Sequence, residues 1–203
     1  MNSQSAHSLL WNACLDAIGW FADLAEIAPN LRKAPVFHPV KPVPLAPGAD
    51  LEHLRDVSLP ELLPLVDAVI AAAPYLHWRQ SYSLKDGVAP EFLNAYGYVS
   101  FGGPEDAVRL KDRRIFVGYF GEGVEYPPHA HAAEEVYGVI AGEAVFHRLR
   151  SLPTRVFPGD TVCFDPWRVH SIDMTPGPLL VLAIWKGQGL GEKPSMSLEA
   201  GSP

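Results

Sequence analysis

From Ser81 onward the chain is a succession of short segments rich in Val, Ile, Phe and Tyr, broken by Gly and Pro. The candidate strands are Ser81–Leu84, Tyr96–Phe101, Ile115–Phe120, Glu135–Ile140, Ala144–Leu149, Thr161–Phe164, His170–Met174 and Leu179–Lys186. No helical periodicity separates them, so parallel βαβ units are excluded and the strands must close into a sandwich or a barrel. Ala141-Gly142-Glu143 reads as a hairpin turn between two of them.

The front of the chain has a different texture. Leu9, Leu10, Ala13, Ala17, Trp20, Phe21, Leu24 and Ala28 follow a 3.6-residue period and predict an amphipathic helix over Ser8–Ala28, ended by Pro29-Asn30. A spacer from Lys33 to Pro47 holds Pro35, Pro39, Pro42, Pro44 and Pro47 and reads as an extended linker, or an arm lying across another surface. A second helical pattern covers Asp50 to Ala73, with Ser58 as N-cap and Glu61 three residues on suggesting a restart, Pro60 in its first turn. The expected organisation is therefore a helical extension over residues 1–76 with a Pro-rich arm (33–48), a β-barrel over 77–190 and a frayed tail over 191–203.

Composition narrows the function classes. The 203 residues are 48% hydrophobic and 19% charged, which excludes a disordered chain and allows one sizeable core. A net charge of −7 disfavours nucleic acid and anionic lipid as partners. Cys14 and Cys163 make neither a disulfide framework nor a zinc-ribbon spacing, and a reducing compartment is the simpler reading. The first basic residue is Arg32, so no charged n-region of a secretory signal precedes the first apolar stretch. The apolar run Leu179–Trp185 is far too short to span a bilayer. The expectation is a soluble, cytoplasmic protein.

The chemistry is concentrated between Gly123 and Gly138. His129 and His131 are two apart, which on a strand puts both imidazoles on one face, and Glu135 and Tyr137 share that parity. Convergent N and O donors on rigid backbone suit a transition-metal ion. One more ligand must come from elsewhere, and His170, at the head of a late strand, is the best candidate. His7, His38, His53 and His77 have no such company; His147 shares the parity but lies beyond the predicted turn.

The spacing Gly123-x5-His129-x-His131-x3-Glu135-x6-Gly142 matches the first cupin motif at every fixed position. Pro158-Gly159-Asp160 and His170 resemble parts of the second motif, with Arg168 near where it usually has glycine and the Pro166-to-His170 spacing one residue short. The resemblance covers Trp78 to Gly189. It implies a mainly β fold, a double-stranded β-helix (jelly-roll) barrel with a metal inside its mouth. The string Tyr126-Pro-Pro-His-Ala-His-Ala-Ala-Glu-Glu-Val-Tyr137, with Phe164-Asp-Pro-Trp-Arg-Val-His170-Ser, looks like the cupin dimethylsulfoniopropionate (DMSP) lyases of the DddQ type. That family cleaves DMSP to acrylate and dimethyl sulfide. The resemblance implies His131, Glu135 and His170 as metal ligands, His129 as the other cupin histidine, and Tyr126 and Tyr137 as active-site tyrosines. It implies one transition-metal ion, zinc or iron first, with manganese, cobalt or nickel as further candidates.

The reaction is a β-elimination: a base removes the proton next to the carboxylate while neutral dimethyl sulfide leaves. A metal on the carboxylate stabilises the enolate-like charge, and a tyrosine beside a cation is a credible base. One of Tyr126 and Tyr137 is expected to be that base and the other to position substrate. The sulfonium head suits an aromatic wall, for which Trp167, Trp185, Tyr96, Tyr98 and Tyr119 are available. Two rivals share the barrel: a metal-dependent dioxygenase, separable by its need for oxygen, and a non-catalytic cupin that binds a small ligand, separable by metal content. The small molecule is the expected partner; the N-terminal helices are read as packing on the barrel's outer face or pairing two subunits into a homodimer.

Overall fold

The computed structural model describes residues 1–31 and 34–196. Helices α1 (Ser3–Trp20), α2 (Ala22–Ile27) and α3 (Leu63–Ala72) precede the short α4 (Pro90–Asn94). Ten strands follow: β1 (Tyr96–Gly103), β2 (Val108–Arg109), β3 (Arg113–Phe120), β4 (Glu125–His129), β5 (Ala133–Gly142), β6 (Ala144–Arg148), β7 (Thr154–Val156), β8 (Thr161–Phe164), β9 (His170–Asp173) and β10 (Leu179–Gly187). They form a six-stranded sheet, β2-β1-β3-β10-β5-β8, and a four-stranded sheet, β4-β9-β6-β7. This is the double-stranded β-helix expected of a cupin, with a helical N-terminal segment.

Alternation along the larger sheet separates two cores. Val99, Ile115, Val117, Val136, Ile140, Leu182 and Ile184 face outward and pack with buried residues of α1, α2 and α3, among them Leu10, Trp11, Leu24 and Val66. Tyr96, Phe120, Tyr137, Val139, Val181 and Ala183 face inward and join Phe146 and Ile172 of the smaller sheet and Met174 just beyond it. The helices thus cover the outer face of the barrel. Helix α2 approaches closely because residue 138 of β5 is glycine: a Cβ there would lie 2.8 Å from Leu24 Cδ1.

Several local expectations are corrected. The first helix begins earlier, at Ser3, where Asn2 and Ser5 form a capping box. It breaks at Phe21, whose extended backbone (φ −96°, ψ 118°) turns a buried ring into the core. Ser58 is not an N-cap but follows a 3-10 turn, Glu52–Val57; its hydroxyl donates to the Ile140 carbonyl at 2.7 Å, and α3 starts at Leu63 with a proline in its first turn. Ser81–Leu84 is not a strand; a 3-10 turn, Leu84–Asp86, is capped by Ser83 and Asp86 instead. β2, β4 and β7 lacked a sequence signal, being short or, in β4, carrying Pro127 and Pro128. The turn at 141–143 joins no hairpin. β5 and β6 lie in different sheets, and the chain crosses between them at Gly142 (φ 78°).

The arm, described from residue 34, lies across the body: His38 N–H donates to Ala107 O at 2.8 Å, and Val43 N–H to Leu76 O at 2.9 Å. Residues 191–196 pack on the barrel mouth rather than fraying. Ser195 and Ala130 exchange backbone hydrogen bonds of 2.8 and 2.9 Å, and Lys193 Nζ lies 2.5 Å from Asp86 Oδ1. The rest of the expected tail, 197–203, lies outside the described residues. No helix among them is long and apolar enough to cross a membrane.

Candidate active site

β4 and β9 pair so that His129 stands directly opposite His170. Their ring centroids are 4.2 Å apart, and the His131 ring is 5.2 Å from that of His170. One ligand atom from each of the three lies within 4.8 Å of the others, and all three residues are buried. The convergence does not come from simple strand alternation, because His131 sits past the end of β4. Its carbonyl accepts a 2.7 Å hydrogen bond from the Trp167 N–H, which ties it to the turn before β9.

All three imidazoles are oriented the same way. Nδ1 of His129 donates to Pro127 O at 2.9 Å, Nδ1 of His131 to Ala133 O at 2.9 Å, and Nδ1 of His170 to Arg168 O at 2.8 Å. Anchoring each ring through Nδ1 turns each Nε2 into the cluster as the atom a metal would take, the usual arrangement of metal-binding histidine. Glu135, fully buried on β5, brings Oε2 to 2.9 Å from His131 Nε2 and 3.3 Å from His170 Nε2. His170 Nε2 nevertheless has no hydrogen bond, although no solvent reaches it. An orphaned buried nitrogen beside a buried carboxylate and two further imidazoles fits a transition-metal ion.

The electrostatics agree. Burial and the neighbouring His170 hold His129 well below its ordinary value, so it is neutral and ready to ligate. Burial opposes ionisation of both Glu135 and His131, yet their mutual attraction wins: Glu135 is held far below the usual carboxylate range and His131 is raised. A cation binding there takes the place of the proton they share.

A cavity of about 220 Å³ opens beside this cluster and is lined in part by Tyr126, His129, Glu135, Tyr137 and Trp185. Tyr137, two residues from Glu135 on the same strand face, points inward as its parity predicts. Burial pushes its phenol up, and the Glu135 carboxylate adds to that. Tyr126 lies with its ring 4.2 Å from that of His129, and burial raises it too. The candidate sulfonium residues divide. Tyr96, Tyr98 and Trp185 line the cavity. Trp167 is 42% exposed outside it, and Tyr119 turns to the other face, where its hydroxyl accepts from Asp50 N–H at 3.1 Å. His7, His38, His53, His77 and His147 stay outside the metal-ligand group.

Sequence reasoning missed two features. Trp185 Nε1–H donates to Glu135 Oε1 at 2.5 Å while its ring lies 4.3 Å from that of His131, so it braces two members of the cluster. Arg79 and Arg114 also line the cavity. Arg114 was legible in principle, as a cation on the same parity as Phe116, Gly118 and Phe120.

Residues 22–181 match the model of the dimethylsulfoniopropionate lyase family. The chain belongs to that family. It is 32% identical over 152 residues to the DMSP lyase DddQ of Ruegeria pomeroyi, an alignment covering 73% of this chain and 74% of the relative. The fold superposes on a chain from the crystal structures of the DMSP lyases RdDddP and RnDddQII with a TM-score of 0.87, at 30% identity, covering 97% of this chain and 100% of that one. For the crystal structure of Ruegeria pomeroyi DddQ the TM-score is 0.83 at 25% identity, with 98% and 99% covered. The chain is thus a member of a family of carbon–sulfur lyases.

Proposed function

We propose that this chain cleaves DMSP to acrylate and dimethyl sulfide. The observation that carries the reading, beside family membership, is the shared aim of three Nδ1-anchored imidazoles at one buried point that adjoins two inward phenols. His129, His131, Glu135 and His170 would hold a zinc or iron ion. Such an ion supplies Lewis acidity, drawing charge from the substrate carboxylate and acidifying a phenol at its edge.

The protein's own groups do the rest. Tyr137 is the base: it shares the strand face of Glu135, so a metal ion held by that carboxylate would stand beside its phenol and offset the upward push of burial and of Glu135. Its phenolate takes the proton from the carbon next to the carboxylate. The C–H electrons form the carbon–carbon double bond, and the C–S pair leaves with sulfur as neutral dimethyl sulfide. Tyr126 positions the substrate. Tyr96 and Phe120, stacked at 5.1 Å between centroids, supply the aromatic surface for the sulfonium.

The test is headspace detection of dimethyl sulfide after metal-loaded protein meets DMSP, with His131→Ala as control. Turnover must persist without oxygen; a strict oxygen requirement would assign the site to dioxygenase chemistry instead.

A further inference from the structure

Strand register puts Arg114, Trp185 and Glu135 in one row across β3, β10 and β5, Arg114 and Glu135 each being a direct partner of Trp185. Two interstrand steps separate the ends of this row, about 10 Å of backbone. All three residues line the same cavity. One end of the row is thus the His/Glu cluster, and the other end is a guanidinium.

That guanidinium is held in place but not fully used. Its Nε donates to Ser100 Oγ at 2.7 Å and its Nη1 to Leu190 O at 3.3 Å; Nη2 has no hydrogen-bond partner among the described residues. The hydroxyl of Ser100 in turn donates to Asp106. Asp106 is almost fully buried and is shared by two cations: its Oδ1 is 3.3 Å from Arg79 and its Oδ2 is 3.8 Å from Arg114 Nε. Two guanidiniums thus share one buried carboxylate, while the C-terminal segment brings Glu192 and the Asp86-paired Lys193 to the same cavity. Arg114 also lies over the Tyr98 ring, 5.6 Å from its centroid, so that face of Tyr98 is taken by a cation already.

We propose that Arg114, backed by Arg79, forms a second anion subsite across Trp185 from the His/Glu cluster, which fits the cavity for short dicarboxylates and turns an onium head away from Tyr98 toward Tyr96 and Phe120. A planar guanidinium with a free edge recognises a carboxylate by charge-assisted hydrogen bonds. The same charge repels a sulfonium, so a zwitterion with its carboxylate at the His/Glu cluster turns its other end away from Arg114, toward the aromatic floor. The orientation part of the inference rests on the proposed lyase function; the anion subsite does not.

Calorimetric titration of the metal-loaded full chain with succinate, propionate and tetramethylammonium separates the two. Succinate is expected to bind about tenfold more tightly than propionate. Arg114→Met should bring that ratio to about one and strengthen tetramethylammonium binding, with metal content unchanged. Arg114→Lys, which keeps the charge and loses the fork, should fall between. A wild-type ratio near one overturns the proposal, as does a ratio that survives Arg114→Met. If Arg114→Met does not fold, the wild-type ratio and the Arg114→Lys value decide alone. Absence of lyase activity with the succinate preference intact would sink the proposed function and leave the subsite standing.

Discussion

At the scale of single residues, the two phenols are distinguished by their neighbours. Tyr137 adjoins the Glu135 carboxylate, whereas Tyr126 lies among Tyr82, Tyr96 and His129. Tyr137→Phe should therefore keep its metal and its fold but lose about 10²–10⁴ in kcat, read as dimethyl sulfide release. Tyr126→Phe should act mainly on KM. Trp185→Phe keeps a ring against His131 and removes only the donor to Glu135, so metal affinity should drop about 10–100-fold in a chelator competition. The ligand types and their spacing were legible in sequence because a metal constrains residue identity directly. The brace at Trp185 was not, because it depends on strand register, which a one-residue slip would erase; the inward parity of Arg114 was readable, but its place opposite Trp185 was not.

At the scale of elements, strands with clean alternation were readable from sequence, and their bounds shifted by no more than two residues: the Thr161–Phe164 prediction is β8 as found, and Leu179–Lys186 extends only to Gly187 in β10. The turn at 141–143 was misread because a glycine announces a turn but not which sheet the chain enters next. At Gly142 a Cβ would lie 1.7 Å from the Pro178 carbonyl oxygen, on a left-handed backbone. Gly142→Ala should therefore destabilise by about 3 kcal/mol or more, measured by denaturant unfolding. The mouth segment gives a pH prediction. Lys193 first, then the Ser83 amide and hydroxyl, lower Asp86 from 3.8 to about 2. A depressed carboxylate contributes stability that is complete above its unfolded pKa and lost as pH falls through the folded one. Exchange protection of the Ser195 amide should therefore hold from neutral pH to about 4 and decline from there through about 2. Lys193→Ala should raise the Asp86 midpoint part of the way back to 3.8 in an NMR titration, since Ser83 still holds it.

At the scale of the whole molecule, the larger sheet is one layer with two dependent faces. Its inner face carries the site, and its outer face buries Phe101, Ile115, Val117, Ile140 and Leu182 beneath α1, α2 and α3. Sequence could separate a helical front from a β back, but the amphipathic period of the first helix says only that one stripe needs cover, not what covers it. The packing makes the helices part of the barrel's own core: Phe21 and Leu24 press on Gly138, next to Tyr137 in the chain. Removing residues 1–28 would expose that apolar face as a broad patch, which soluble proteins avoid. The truncated chain should accumulate as aggregate, and the full chain should unfold in one transition in which helical and near-ultraviolet signals coincide. Two separated transitions would mean that the barrel holds its shape without the helices. In that case Tyr137 and Glu135 would keep their geometry in the truncated chain, and metal binding would survive the loss of the helices that lie behind their strand.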